Sequence, residues 1–112
     1  MNLYDIGKIP LKEKKLLVSE ACLMFQKLKK TSQLNKNMLI SDKLKQKNIL
    51  NIKSLSIFET ILSLLSEDEV RIIQNDFIKK KKSDWYQDHW SKTTYYKIKN
   101  RSIDRFIFLL FA

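Results

Sequence analysis

The apolar positions of this chain recur mainly at steps of three and four, the spacing that puts side chains on one face of an α-helix. From Leu11 to Lys30 that spacing aligns Leu17, Ala21, Met24 and Leu28, with Lys12, Lys15, Lys27 and Lys30 largely elsewhere. An amphipathic helix is predicted there. A shorter helix is expected from Ser41, a suitable N-cap, to Leu50, with Leu44 and Lys47 or Asn48 marking its faces. A third spans Ile52 to Leu65, where Leu55, Phe58, Ile61 or Leu62 and Leu65 share a stripe. Between the first two, Thr31 to Asn37 is polar and is the nearest thing to a linker. No internal repeat is visible.

The boundary at Ser66-Glu67-Asp68-Glu69 is sharper. Ser66 can accept from the Glu69 amide while the Glu69 carboxylate reaches back to the Ser66 amide, the reciprocal arrangement of a capping box. Three acidic residues in one first turn also complement the positive end of the helix dipole, and that accounts for them without acid-base catalysis. The helix starting there runs to about Lys80 with Val70, Ile73 and Phe77 at helical spacing. After Lys79 to Lys82, Ser83 can cap a short segment, Asp84 to Trp90, and Ser91 can cap a final helix, Lys92 to Phe111. In that last helix Tyr95, Ile98, Ser102, Phe106 and Leu109 form the buried stripe. Lys92, Thr93, Tyr96, Lys97, Asn100 and Arg101 fall on the other side, toward its start.

Composition narrows the fold class. Among 112 residues there is one Gly and one Pro, too few for the tight turns of a sandwich or barrel, and no glycine-rich phosphate loop is possible. The pattern and the composition agree on an all-α bundle of about five helices. It divides into a basic helical region over 1–50, read as a helical hairpin, and a second region over 51–112 sharing one core with it. Cys22 is the lone cysteine and is expected to be a buried, inert thiol; His89 is the lone histidine. Neither a zinc cluster nor an intramolecular disulfide can be built from them, and a reducing cytosol is expected. No metal, cofactor or catalytic residue is assigned. The start of the chain lacks the apolar stretch of a signal peptide. The longest apolar run, Phe106 to Ala112, is far short of the ~20 residues that span a bilayer, so no membrane partner is expected. An exposed part of the run 107–111 would favour a homodimer.

Charge adds a second layer. Lys and Arg number 22 against 12 Asp and Glu, a net +10. Only Arg71, Arg101 and Arg105 are arginines, a bias that an AT-rich genome would produce, so lysine count alone identifies no partner. Its distribution is more telling. Segments 11–31 and 32–53 are each net +4, 54–76 is net −4 and 77–112 is net +6. Two basic flanks enclose an acidic middle, and the C-terminal excess coincides with the polar face of the last helix.

An α-helix fits the major groove of B-DNA with its N-terminal residues at base edges. Lys92, Thr93, Tyr96 and Lys97 are therefore the candidate base-facing residues. Lys79, Lys80, Lys81, Lys82, Asn100 and Arg101 are candidates for phosphates or groove edges, contacts that position a protein without specifying sequence. Trp85, Tyr86, Trp90 and Tyr95 are read as core rather than as stacking platforms, with Tyr96 the exposed member. His89 is read as a surface or core histidine rather than a metal ligand.

The runs Leu65-Ser66-Glu67-Asp68-Glu69-Val70-Arg71-Ile72-Ile73 and Ser91-Lys92-Thr93-Thr94-Tyr95-Tyr96-Lys97-Ile98-Lys99-Asn100-Arg101-Ser102-Ile103-Asp104-Arg105-Phe106 resemble the helix-turn-helix of bacterial sigma factor region four. They are closer still to phage-type transcription activators of the ArpU and RinA kind. The likeness covers roughly 52–111. It implies a C-terminal helix-turn-helix, double-stranded DNA as partner, transcription regulation as the role, and RNA polymerase as a further partner. The family's base-facing positions fall on Lys92, Thr93, Tyr96 and Lys97. One departure is plain: the supporting helix before the capping Ser normally has nearly a dozen residues, and Ser83 to Trp90 has eight. Two rival functions follow from the same residues. One is a helical adaptor docking on polymerase or another assembly; the other is a binder of RNA or single strands through its aromatic and lysine surface.

Overall fold

A computed structural model describes residues 3–35 and 56–112. All regular structure among the described residues is helical. The helix expected over Ser41–Leu50, the stripe member Leu55 and the end of the linker at 36–37 lie outside them. In chain order the elements are α1 (Leu3–Gly7), α2 (Leu11–Asn35), α3 (56–64), α4 (Glu67–Ile72) running directly into a π-helical segment (Ile73–Ile78), a 3-10 turn (Trp85–Asp88) and α5 (Lys92–Leu110).

Pro10 sits where a helix begins, its carbonyl accepting from the Lys14 amide at 3.0 Å. From there α2 runs 25 residues. It passes through Thr31 to Asn35, which sequence reading assigns to a linker. Its buried face is also turned from the predicted one: Lys14, Val18, Ala21, Cys22 and Phe25 are buried, Leu17 and Leu28 flank them, and Met24 is exposed. The reason is compositional. Leu16 to Val18 and Ala21 to Phe25 make an apolar arc wider than one contact face, so periodicity alone cannot choose its centre. Tertiary contact chooses it, with Lys14 Nζ reaching Asp104 of α5 at 2.9 Å.

α3 places Phe58 between two rings, stacked on Phe25 at 4.5 Å and edge-on to Phe106 at 6.3 Å. The capping box at Ser66 forms as the sequence predicts, with Ser66 N–H donating to Glu69 Oε1 at 2.8 Å and Glu69 N–H to Ser66 Oγ at 3.3 Å. The helix it starts does not stay α-helical to Lys80. Its second half widens to π geometry, and Lys80, at φ 48°, reverses the chain. The Lys81 amide closes that reversal on the Asn75 carbonyl at 2.8 Å.

The main core is one cluster. Ile6 of α1, Val18, Cys22 and Phe25 of α2, Ile61 of α3, Ile73 and Phe77 of the π segment, and Ile103, Phe106 and Ile107 of α5 all contribute. Residues from both 3–35 and 56–112 therefore share one interior. A second, smaller cluster of Ile72, Tyr86, Tyr95 and Ile98, flanked by Trp85 and Trp90, lies under the first turns of α5. Cys22 is fully buried and burial pushes its thiol up to about 12. No described helix is long and apolar enough to cross a membrane.

Candidate nucleic-acid interface

α5 is capped at Ser91, whose Oγ accepts from the Thr94 amide at 3.2 Å. Its first turn contains no acidic residue, unlike α4, whose first turn has three. The positive end of its dipole is thus not offset by a side chain of its own, and Lys92 adds charge beside it. At about 100° per residue, Lys92, Thr93, Tyr96, Lys97 and Asn100 occupy one arc of roughly 140° over the first turns. All five are exposed. Within the next one and two turns, Ile103 and Ile107 fall on the same arc and are fully buried. The exposed patch is therefore confined to the N-terminal part of the helix.

The predicted base-facing set, Lys92, Thr93, Tyr96 and Lys97, is brought together on that arc. Asn100 extends it by one turn. Arg101 does not join it: about 100° round the helix from Asn100, it directs its Nε to Glu69 Oε2 at 3.3 Å. Lys79 to Lys82 are exposed along the chain reversal after the π segment.

Beneath the patch lies a cluster of aromatic rings. Where sequence reading expects a short segment over Asp84–Trp90 with Ser83 as its cap, the structure has a single 3-10 turn, and the residue at its N-cap, Asp84, makes no side-chain cap. Tyr86 stacks flat on Tyr95 at 3.9 Å, and Trp85 meets Tyr86, Trp90 and Tyr95 edge-on. The expectation that these rings are core holds for Tyr86 and Tyr95, which are buried, while Trp85 and Trp90 are half-buried. His89 is exposed, with its Nδ1 3.4 Å from Arg71 Nη1 and its ring against both tryptophans.

Two carboxylates that sequence reading does not single out for these contacts anchor the arrangement. Asp76, in the π segment, accepts from Trp85 Nε1 at 2.7 Å and from the Tyr95 hydroxyl, and pairs with Lys99 Nζ at 3.1 Å. Its side chain is 12% exposed. Burial, then the hydrogen bond to Asp76 and its charge, pushes the Tyr95 hydroxyl far up, so it stays a donor. Glu69, beyond its cap role, receives Arg101 and Arg105, and Arg105 Nη2 also donates to the Leu64 carbonyl at 2.9 Å. Burial acts to raise the Glu69 carboxyl, but the Ser66 backbone and side-chain hydrogen bonds, then Arg105 and Arg101, outweigh it and hold it below its ordinary value.

A signal for these groups exists in the sequence. Glu69 and Asp76 fall on the apolar stripe of Ile72, Ile73 and Phe77, and Lys99 sits beside Tyr95 and Ile98. A charged residue inside a buried stripe needs a partner. Spacing alone does not say which one. Among the described residues no group of three or more His, Cys, Asp or Glu could hold a metal ion. No family model, curated protein or solved structure matches this chain.

Proposed function

We propose that this protein binds double-stranded DNA through the first turns of α5 and acts as a transcription regulator. The observation that carries the reading is the confined, exposed arc of Lys92, Thr93, Tyr96, Lys97 and Asn100 at a helix N-terminus whose first turn holds no acidic residue, with packed rings beneath it. Such a helix end can enter the major groove, with lysines meeting guanine acceptors, Asn100 meeting adenine or a phosphate, and the Thr93 methyl meeting thymine. Lys79 to Lys82 supply non-specific phosphate attraction and counterion release. The resemblance to sigma region four and to phage activators supports the same use of the same positions, with the 3-10 turn and its rings in place of the supporting helix.

The test is a fluorescence-anisotropy titration against randomised duplexes at low salt, followed by selection of the tightest sequences. Lys97→Ala or Tyr96→Ala should reduce discrimination between selected and random duplexes by about 1–3 kcal/mol. Replacing Lys80 to Lys82 by Ala should weaken binding to every sequence and flatten its salt dependence. Failure to bind any duplex at low salt, or a Lys97 variant that discriminates like the parent, would sink the proposal.

A further inference from the structure

A second surface lies away from α5, on residues contributed by α2, α3 and the π segment. It is a groove of ≈ 630 Å³ whose apolar floor is Phe25, Phe58, Leu62 and Ile78. Phe58, Leu62 and Ile78 are only half-buried, so the floor meets solvent. Set against the ~30 Å³ share of one water molecule, that volume holds several large side chains. The Gln26 amide crosses to the Ile78 carbonyl at 3.2 Å and fixes α2 to the end of the π segment.

The rim is one-sided in charge. Lys29 and Lys30 of α2 and Lys79 after the π segment border the groove, with Glu59 as the only acidic lining residue among the described residues. All three lysines are exposed. None of them forms an ion pair with a carboxylate among the described residues. An occupant that satisfies both parts must present apolar side chains inward and carboxylates outward. A nucleic-acid backbone would satisfy the rim and leave the floor wet.

We propose that this groove takes an acidic amphipathic helix of a partner protein. Its apolar side chains at i, i+3, i+4 and i+7 cover Phe58, Leu62 and Ile78, and its carboxylates meet Lys29, Lys30 and Lys79. The proposal shares only Lys79 with the DNA reading; Lys29, Lys30 and the apolar floor belong to the groove alone, so variants there test it separately. A protein with both surfaces would bring an acidic partner to the nucleic acid held by α5.

The probe is a labelled peptide of roughly 20 residues, long enough for stable helix, with Leu at i, i+3, i+4 and i+7 and Glu and Ala elsewhere. A scrambled peptide of the same composition is the control, and both are titrated against the full chain by fluorescence anisotropy. The patterned peptide should bind at least about tenfold tighter than the scrambled one, a difference of ~1.4 kcal/mol. Lys29→Glu with Lys30→Glu should weaken it about tenfold, as should Leu62→Asp in a chain that keeps its parental circular dichroism. Lys92→Ala with Lys97→Ala should leave it unchanged. Equal binding of the scrambled peptide, indifference to the rim variants, dependence on Lys92 and Lys97, or full displacement by duplex DNA would each overturn the proposal. The last result would reassign the rim to a polyanion.

Discussion

Glu69 and Asp76 stand seven residues apart on one continuous helix, and each receives cations from α5, yet they hold it by different means. Glu69 has no exposed side-chain surface and sits in the α-helical first turn, where its oxygens serve the Ser66 cap and two arginines. Those arginine side chains are themselves exposed, at 55% and 44%. Asp76 lies in the π segment, where the wider helix presents it to Trp85, Tyr95 and Lys99 at once. The first site fastens the middle of α5 to the end of α3 and the start of α4. The second orients the aromatic prop under its exposed patch. A buried ion is weak evidence of stability by itself, but removing one partner from such a site is costly. The comparison therefore separates a carboxylate that holds the fold from one that aims a surface.

The largest effect should follow from Glu69→Ala. It strands two arginine side chains, leaves the Ser66 amide without its acceptor and frees the Leu64 carbonyl from a fixed Arg105. Losing charge-assisted hydrogen bonds to two arginines that stay hydrated costs about 1.5–3 kcal/mol, and losing the capping interaction adds about 1 kcal/mol. Urea denaturation should show a loss in that range, with duplex affinity unchanged in the fraction that remains folded. Glu69→Gln keeps an acceptor for Ser66 and should fall between the variant and the parent.

Asp76→Asn should cost less, on the order of 2 kcal/mol, because the amide oxygen can still accept from Trp85 and only the charge facing Lys99 is lost. Its effect on the surface should be greater. Tryptophan fluorescence and near-ultraviolet dichroism should change, and duplex binding should weaken beyond what the lost stability explains. If Asp76→Asn leaves binding intact while Glu69→Gln impairs it, the two roles are reversed.

How these sites were legible in the sequence differs in the same way. The Ser66 capping box and the Ser91 cap could be read directly, because capping is local and its residues sit three apart. The exposed arc of α5 was legible for the same reason: helical period assigns a face without knowledge of the rest of the chain. The face of α2 was not, because its apolar arc exceeds one contact width and the Lys14 to Asp104 contact spans ninety positions. The π segment left no mark in the spacing, since Val70, Ile73 and Phe77 fit an α-helix equally well. The groove of α2 and α3 was invisible because its lysines and apolar floor come from three elements.

Titration offers a third, smaller probe from opposite ends of the pH scale. The Glu69 carboxyl is held below its ordinary value, so its contribution is present above the unfolded carboxylate range, near pH ~4.3, and is lost as pH falls through the folded value. The Tyr95 hydroxyl is pushed up. Its contribution is present below the unfolded tyrosine range, near pH ~10, and is lost as pH rises further. Cys22, pushed up to about 12, adds to the alkaline loss from about pH 9. Each group can steepen the stability profile by at most about 1.4 kcal/mol per pH unit. Glu69→Gln should flatten the acid limb alone and Tyr95→Phe the alkaline limb alone, as read by denaturant midpoints across pH.

The smallest expected effect concerns the turn that ends the π segment. Lys80 adopts φ 48°, a region that costs a residue with a Cβ roughly 1–2 kcal/mol. Lys80→Gly removes that strain, but the looser unfolded chain takes back about 0.4–1 kcal/mol. A net gain near 0.5 kcal/mol is expected, and Lys80→Asn, which tolerates the same φ with less unfolded-state freedom, should gain at least as much. A thermal melt resolves the sign. If either variant stabilises the fold while tryptophan fluorescence stays fixed, Asp76 holds its three donors without help from the strained turn. If fluorescence shifts as stability rises, Lys80 takes part in aiming the aromatic prop, and the division between the two carboxylates extends to the residue that closes their helix.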